Sequence, residues 1–187
     1  VAAQAARAGL EYAATRVSDS DPQQQWLPDG RAYRWRFGDA EVDVRIVDEF
    51  GKVDLNAAEA GTLAALMRAV GAQPDVADAV AAAILDWRDP DDLTQLQGGA
   101  EDPQYAAAGR PYGAKDAPFE TVAEVEQVLG MTPPLYAKLA EHLTIYSGLP
   151  IADARFATGP VLQSMGIDAA PVLANRERPP LPGDSSF

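Results

Sequence analysis

The chain has 187 residues, 47% of them hydrophobic, with a formal net charge of −13 and no cysteine. That length and apolar content suffice for one sizeable core or two small ones. The absence of cysteine excludes disulfides, thiolate metal sites and cysteine nucleophiles. A lone histidine, His142, excludes a histidine-rich zinc site, and the acidic balance opposes phosphate backbones while suiting cations or a basic protein partner. No apolar run reaches the roughly 18 residues that a membrane span needs. The chain opens on VAAQAARAGL with neither an initiator Met nor a visible signal peptide, so the expectation is that something upstream was removed.

Residues 1–17 read as an amphipathic helix with Ala6, Leu10, Ala13, Ala14 and Val17 on one face and Gln4, Arg7, Glu11 and Thr15 on the other. A polar loop with Pro and Gly punctuation follows to residue 30. In 31–37, Tyr33, Trp35 and Phe37 alternate with Ala32, Arg34 and Arg36; in 41–47, Val42, Val44 and Ile46 alternate with Asp43 and Arg45. Period 2 predicts two strands, joined by a turn at Gly38-Asp39-Ala40. The aromatic stripe reads as a sheet core face rather than a ligand platform.

From Asp54 the pattern becomes one of short helices. Asn56 with Glu59 reads as a capping box opening a helix to about Val70, closed by Gly71. Pro74 starts a second helix, with Val76, Val80, Ile84 and Trp87 predicted to face inward. Thr121 with Glu124 reads as another capping box, its helix ending at Gly130, and Thr132-Pro133 starts a helix to about Glu141. Residues 143–147 are a short extended piece, and a further helical pair is predicted within 160–176. The tail 178–187 is Pro-rich and predicted to be disordered. The echo of helix, glycine, helix resembles a sterile-alpha-motif-like or helix-hairpin-helix module.

Between these helices lies DWRDPDDLTQLQGGAED, with six carboxylates in seventeen residues: Asp86, Asp89, Asp91, Asp92, Glu101 and Asp102. Only Arg88 answers them. One reading is a cation site, since Ca²⁺ takes about six to eight oxygens, mainly from carboxylates and carbonyls. Crowded carboxylates raise one another's pKa, and a divalent ion relieves that. The pattern is not an EF-hand: with Asp89 as position 1, position 6 is Thr94 and position 12 is Ala100. Mg²⁺ suits the loop less than Ca²⁺, because it keeps more of its waters. The other reading is a solvated acidic loop. His142 near Glu141 and Ser147 could suggest hydrolysis, but no nucleophile elbow surrounds Ser147, and a helix-end cap explains the histidine better.

The segments DEFGKVDLN (48–56), AILDWRDPDD (83–92), GAEDPQY (99–105), PFETVAEVEQVLGMTPPLYAKL (118–139) and LTIYS (143–147) occur in this order. Together they resemble the K-type minor pseudopilins of the bacterial type II secretion system, the GspK family. The resemblance covers about residues 30–150, and residues 1–17 resemble the periplasmic half of that family's N-terminal helix. It implies an α+β fold: a pilin-like N-terminal helix and small antiparallel sheet with a large inserted α-helical domain, sterile-alpha-motif-like or helix-hairpin-helix-like. The expected division is a pilin-like part over 1–55, the helical domain with its acidic loop over 56–150, its continuation over 151–177 and the tail.

The resemblance further implies a non-catalytic subunit at the pseudopilus tip, assembling with the I and J minor pseudopilins to start or cap the filament. Such proteins sit at the periplasmic face of the inner membrane, anchored by a leader-bearing apolar segment, and the expectation is that this chain is a fragment without it. Family members bind calcium in the helical domain, which implies one or two structural Ca²⁺ ions here. The residues this points to are Asp89, Asp91, Asp92 and Glu101, with Asp102 and Asp86 in support. The partner surface is expected on the first helix, at Ala6, Leu10, Ala13 and Val17. Family members continue into further strands that complete the pilin sheet, and the expectation is either that these are missing from this chain or that the protein is a shortened relative. The competing reading is a helix-hairpin-helix nucleic-acid module, from DLNAAEAGTLAALMRAVG. Residues 57–142 oppose it, holding five Lys/Arg against fourteen Asp/Glu, a net of −9, so no nucleic-acid partner is expected.

Overall fold

A computed structural model describes residues 2–176; the tail at 178–187 lies outside the described residues. The chain divides into two compact units. The first holds residues 2–48 with 170–176, and the second, residues 49–169, is inserted between them. The expected break between 55 and 56 falls elsewhere, at 48/49, because Val53–Asp54 pairs within the second unit.

In the first unit, helix α1 (Ala2–Val17) packs on an antiparallel hairpin of β1 (Asp29–Phe37) and β2 (Ala40–Val47). The register sets Tyr33 opposite Val44 and Trp35 opposite Val42, as the period-2 pattern requires. The other face carries exposed cross-strand pairs, Arg34–Asp43 and Arg36–Glu41, each at 3.1 Å. The buried face of α1 is not the expected one. Ala5, Gly9 and Ala13 turn to the sheet, whereas Ala6 and Leu10 face solvent, Leu10 at 68% exposure. The reason is close approach: a Cβ on Gly9 would lie 2.9 Å from Val42 Cγ1. Only a small-residue face lets helix and sheet approach this near. Tyr12 stacks on Trp35 and meets Trp26 edge-on, and Trp26 stacks on Tyr33. Phe37, expected in the core face, is exposed at the hairpin end. Helix α7 (Ala169–Arg176) returns the chain to this unit, where Arg176 donates to the Asp29 carbonyl.

The second unit opens on β3 (Val53–Asp54), which pairs in parallel with β4 (Leu143–Thr144) across some ninety residues of chain. Between them lie α2 (Ala60–Ala69), α3 (Pro74–Arg88), α4 (Asp102–Ala107), a 3₁₀ stretch at Val122–Gln127 and α5 (Pro133–Leu139); α6 (Gly159–Ser164) follows. Helix α2 is central and packs on α3 and α6. Leu55, Leu63, Leu66, Met67, Val80, Ile84, Leu139 and Leu162 are fully buried, each contributing about 1.5–3 kcal/mol. Thr132 caps α5 as expected, its hydroxyl accepting from the Leu135 amide.

Three local expectations are overturned. Asn56 and Glu59 form no capping box; α2 begins at Ala60, and Asn56 instead clamps Phe119, donating to its carbonyl at 3.0 Å and accepting from its amide at 2.8 Å. Thr121 caps nothing, and its segment is 3₁₀ rather than α; Glu124 Oε1 meets Trp87 and Lys115, while Oε2 accepts from the Glu120 amide at 3.0 Å. Val76, expected inside, is exposed on the outer side of α3.

Candidate metal centre

Helix α3 ends at Arg88 because Asp89 precedes Pro90, which drives Asp89 to extended backbone with ψ near 156°. Asp86 lies on the last turn and is fully buried. Both its oxygens accept from the Gln95 amide at 3.2 Å, so the acidic loop folds back over the helix end. The chain then passes so near that a Cβ on Gly99 would sit 2.0 Å from Asp86 Oδ2. The Gly-Gly pair is what admits this return. It delivers Glu101, 3% exposed, to the start of α4, where the Glu101 amide donates to Gln104 Oε1.

Two buried carboxylate oxygens here, Asp89 Oδ1 and Glu101 Oε1, have no hydrogen-bond partner. Burial and then repulsion from Asp86, Asp89, Asp116 and Asp92 push Glu101 up to about 7. Burial foremost also raises Asp86 and Asp89, with Asp91 repelling both. Arg88, the one cation of the stretch, turns the other way and donates to the carbonyls of Leu55 and of Ala58, the latter at 2.7 Å. The cluster is therefore left largely unneutralised.

The six expected residues divide. Asp86, Asp89 and Glu101 lie within electrostatic reach of one another at the helix end. Asp91 and Asp92 sit at the exposed lip, where Asp91 Oδ1 accepts from the Leu93 amide at 2.8 Å. Asp102 faces away, against the 110–116 loop: a Cβ on Gly113 would lie 1.5 Å from its Oδ1. Asp116 acts electrostatically on both Asp89 and Glu101 and was not expected. Its backbone has φ 55°, a conformation that aspartate tolerates better than most residues but that no local pattern announces. As placed, no three His, Asp or Glu side chains among the described residues converge on one point as a metal cage.

Aromatic packing fixes the walls. Trp87 lies 5.9 Å from Tyr105 on α4 and 6.3 Å from Phe119, and its indole N–H donates to Glu124 at 3.0 Å. The Tyr105 hydroxyl accepts from the Leu129 amide at 3.0 Å. The residues considered for hydrolysis are engaged otherwise. Ser147 donates to Asp54, and buried His142 meets Thr158 Oγ1 at 2.9 Å through Nδ1, with burial lowering its pKa.

The Glu101 carboxyl makes a pH dependence. Its pKa in the fold lies above the unfolded value, so the native state binds more protons between about pH 4.5 and 7. In metal-free buffer, stability therefore falls as pH rises through that window and levels above it. After solvent screening the expected fall is on the order of 1–2 kcal/mol. Urea midpoints at intervals of pH measure it, and Glu101→Gln flattens the profile; an unchanged slope in that variant contradicts the assignment.

The architecture defines the class: a pilin-like helix and hairpin carrying an inserted helical unit with an acidic loop. Residues 44–148 match the model of the family described as type II secretion system (T2SS), protein K, and the chain belongs to that family. It is similar to the type II secretion system protein K of Klebsiella pneumoniae, 30% identical over 133 residues, covering 64% of this chain and 40% of that protein. With the protein K of Pectobacterium carotovorum subsp. carotovorum it shares 32% identity over 78 residues, covering 42% of this chain and 24% of the relative. The matches thus span less than half the length of either relative. In fold it resembles a chain of the GspK-GspI-GspJ complex from the enterotoxigenic Escherichia coli type 2 secretion system. That likeness has a TM-score of 0.63 and 19% identity, covering 95% of this chain and 72% of the other.

Proposed function

We propose that this chain is the periplasmic part of a minor pseudopilin that assembles with I- and J-type subunits at the tip of the type II secretion pseudopilus. In this reading it starts or caps the filament and has no catalytic role. The observation that carries it is membership of the protein K family over residues 44–148, with a fold like that of a chain of the GspK-GspI-GspJ complex. No helix among the described residues is long and apolar enough to cross a membrane; the anchor, on this reading, precedes the chain and places it at the periplasmic face of the inner membrane. Helix α1 offers the partner surface. Its sheet-facing Ala13 is already used, which leaves the solvent face with Ala6 and Leu10, and Val17 at the helix end. The nucleic-acid reading is disfavoured by charge, since the inserted unit holds seven Lys/Arg against eighteen Asp/Glu. In the bacterium that carries it, deleting the gene is expected to stop export of type II substrates, and the full-length gene to restore it. Export that continues undiminished contradicts the reading.

We further propose that the acidic loop holds structural calcium, one or two ions. The residues fit: every donor is an oxygen, and Asp89 Oδ1 and Glu101 Oε1 are buried acceptors without a donor. Asp86, Asp89 and Glu101 would form the inner set, with Asp91, Asp92 and the newly identified Asp116 at the lip and Asp102 in support. Calcium would supply the positive charge that Arg88 withholds. Millimolar Ca²⁺ is expected to raise the melting temperature by roughly 5–10 °C, the effect of about 2.7 kcal/mol at a hundredfold excess over Kd. Asp89→Ala with Glu101→Gln abolishes that rise. A melt indifferent to both calcium and EDTA contradicts the site.

A further inference from the structure

We propose that the loop 91–97 is a docking ridge for a partner protein whose surface offers an apolar socket rimmed by lysine and arginine. Leu93 is 75% exposed and Leu96 102% exposed, three residues apart. Single surface leucines need no explanation, but two on one short loop forgo a burial that most folds would take. The loop is not loose at its base. The Gln95 amide is held by Asp86, the Leu93 amide by Asp91, and the Gly99 amide by the Gln95 carbonyl. The leucines thus project from a preorganised platform, which lowers the ordering cost of binding. Beside them runs a groove of about 270 Å³ lined by Ala60, Gly61, Ala64 and Ala82 together with Leu96 and Asp78.

Charge selects the occupant. The inserted unit holds seven Lys/Arg against eighteen Asp/Glu, a net of −11, whereas the described residues of the hairpin unit hold seven against eight, a net of −1. The negative field therefore belongs to the unit that bears the ridge, and one bound divalent ion would still leave it at −9. Such a field steers a basic surface in and turns away a second copy of this chain or an anionic lipid headgroup. The inference goes beyond the tip assembly proposed above and needs neither the calcium nor the I and J subunits.

The test places the photo-crosslinking residue p-benzoylphenylalanine at position 96 of the full-length protein in its own cells, with a control at exposed Glu126 of the same unit. Cross-linked peptides are then sequenced by mass spectrometry. The expected result is a discrete adduct from position 96 alone, on a peptide with two or more Lys/Arg beside apolar residues. In detergent-solubilised membranes its yield falls about tenfold from low to high salt. No adduct, an adduct to lipid or to a second copy, a salt-insensitive adduct, or equal labelling from position 126 overturns the proposal.

Discussion

Trp87→Ala is expected to lower the stability of the inserted unit by about 3–5 kcal/mol, the usual loss for a buried large aromatic. Trp87 is almost wholly buried where α3, α4 and the Phe119 strand of loop meet, against Tyr105, Tyr112 and Phe119. Its removal leaves a void among rings that cannot collapse without moving α4, and it takes away the indole donor of Glu124. Lys115, 2.9 Å from the same carboxylate, holds part of that charge, so the lost hydrogen bond is the smaller share. Calorimetry should show the transition falling by roughly 8–15 °C. Because α4 carries Glu101, the void also loosens the acidic loop. Trp87→Phe keeps most of the packing and should lose less than half as much. A melt within a degree or two of the parent for the alanine variant contradicts the packing described.

Arg88→Leu is expected to be nearly as damaging, by about 2–4 kcal/mol, for an electrostatic rather than a packing reason. The guanidinium serves the carbonyls of Leu55 and Ala58, both wholly buried residues of the turn between β3 and α2. Leucine fills a similar volume but offers no donor, so two buried acceptors lose their partner. The charge itself contributes less: burial already lowers the pKa of Arg88, and Asp54 and Asp89 only partly offset that. Arg88→Lys supplies one donor group in place of a fork and should recover part of the loss. Urea unfolding of the three proteins orders them parent, lysine, leucine; equal midpoints contradict the role of the two carbonyls.

The parts legible in the sequence are those whose physics is local. Alternation along 31–37 and 41–47 made the hairpin, and the Thr132-Pro133 start made α5. The misreadings share one cause, which is that a tertiary partner outcompeted a local one. Asn56 has the chemistry of a cap, but its amide side chain matches the Phe119 backbone 63 residues away. Glu124 has the spacing of a capping box, but Trp87 and Lys115 take one of its oxygens, and the other accepts from the Glu120 amide, one residue short of the cap. The parallel β3–β4 pairing joins two-residue segments too short to carry a period.

The acidic loop was legible as a crowd of charge and not as a shape. Sequence placed six carboxylates together, and burial then sorted them. Asp86 went into the core as the anchor of the loop, while Asp102 turned toward Gly113. Asp116 joined from a loop fourteen residues beyond, where only a left-handed backbone brings it round. On α1 the apolar stripe was visible, but Gly9 decided which side met the sheet. That rotation leaves Leu10 in solvent, where the proposed assembly can use it.

On the proposed reading, this chain joins I- and J-type pseudopilins through α1. The most direct measurement is native mass spectrometry of this chain mixed with the periplasmic parts of those two subunits from the same bacterium. At concentrations of about 10 μM an equimolar three-subunit complex is expected, and Leu10→Arg should weaken it about tenfold, or roughly 1.4 kcal/mol. Three proteins that stay separate under those conditions contradict the claim, and a complex indifferent to Leu10→Arg contradicts the role of α1.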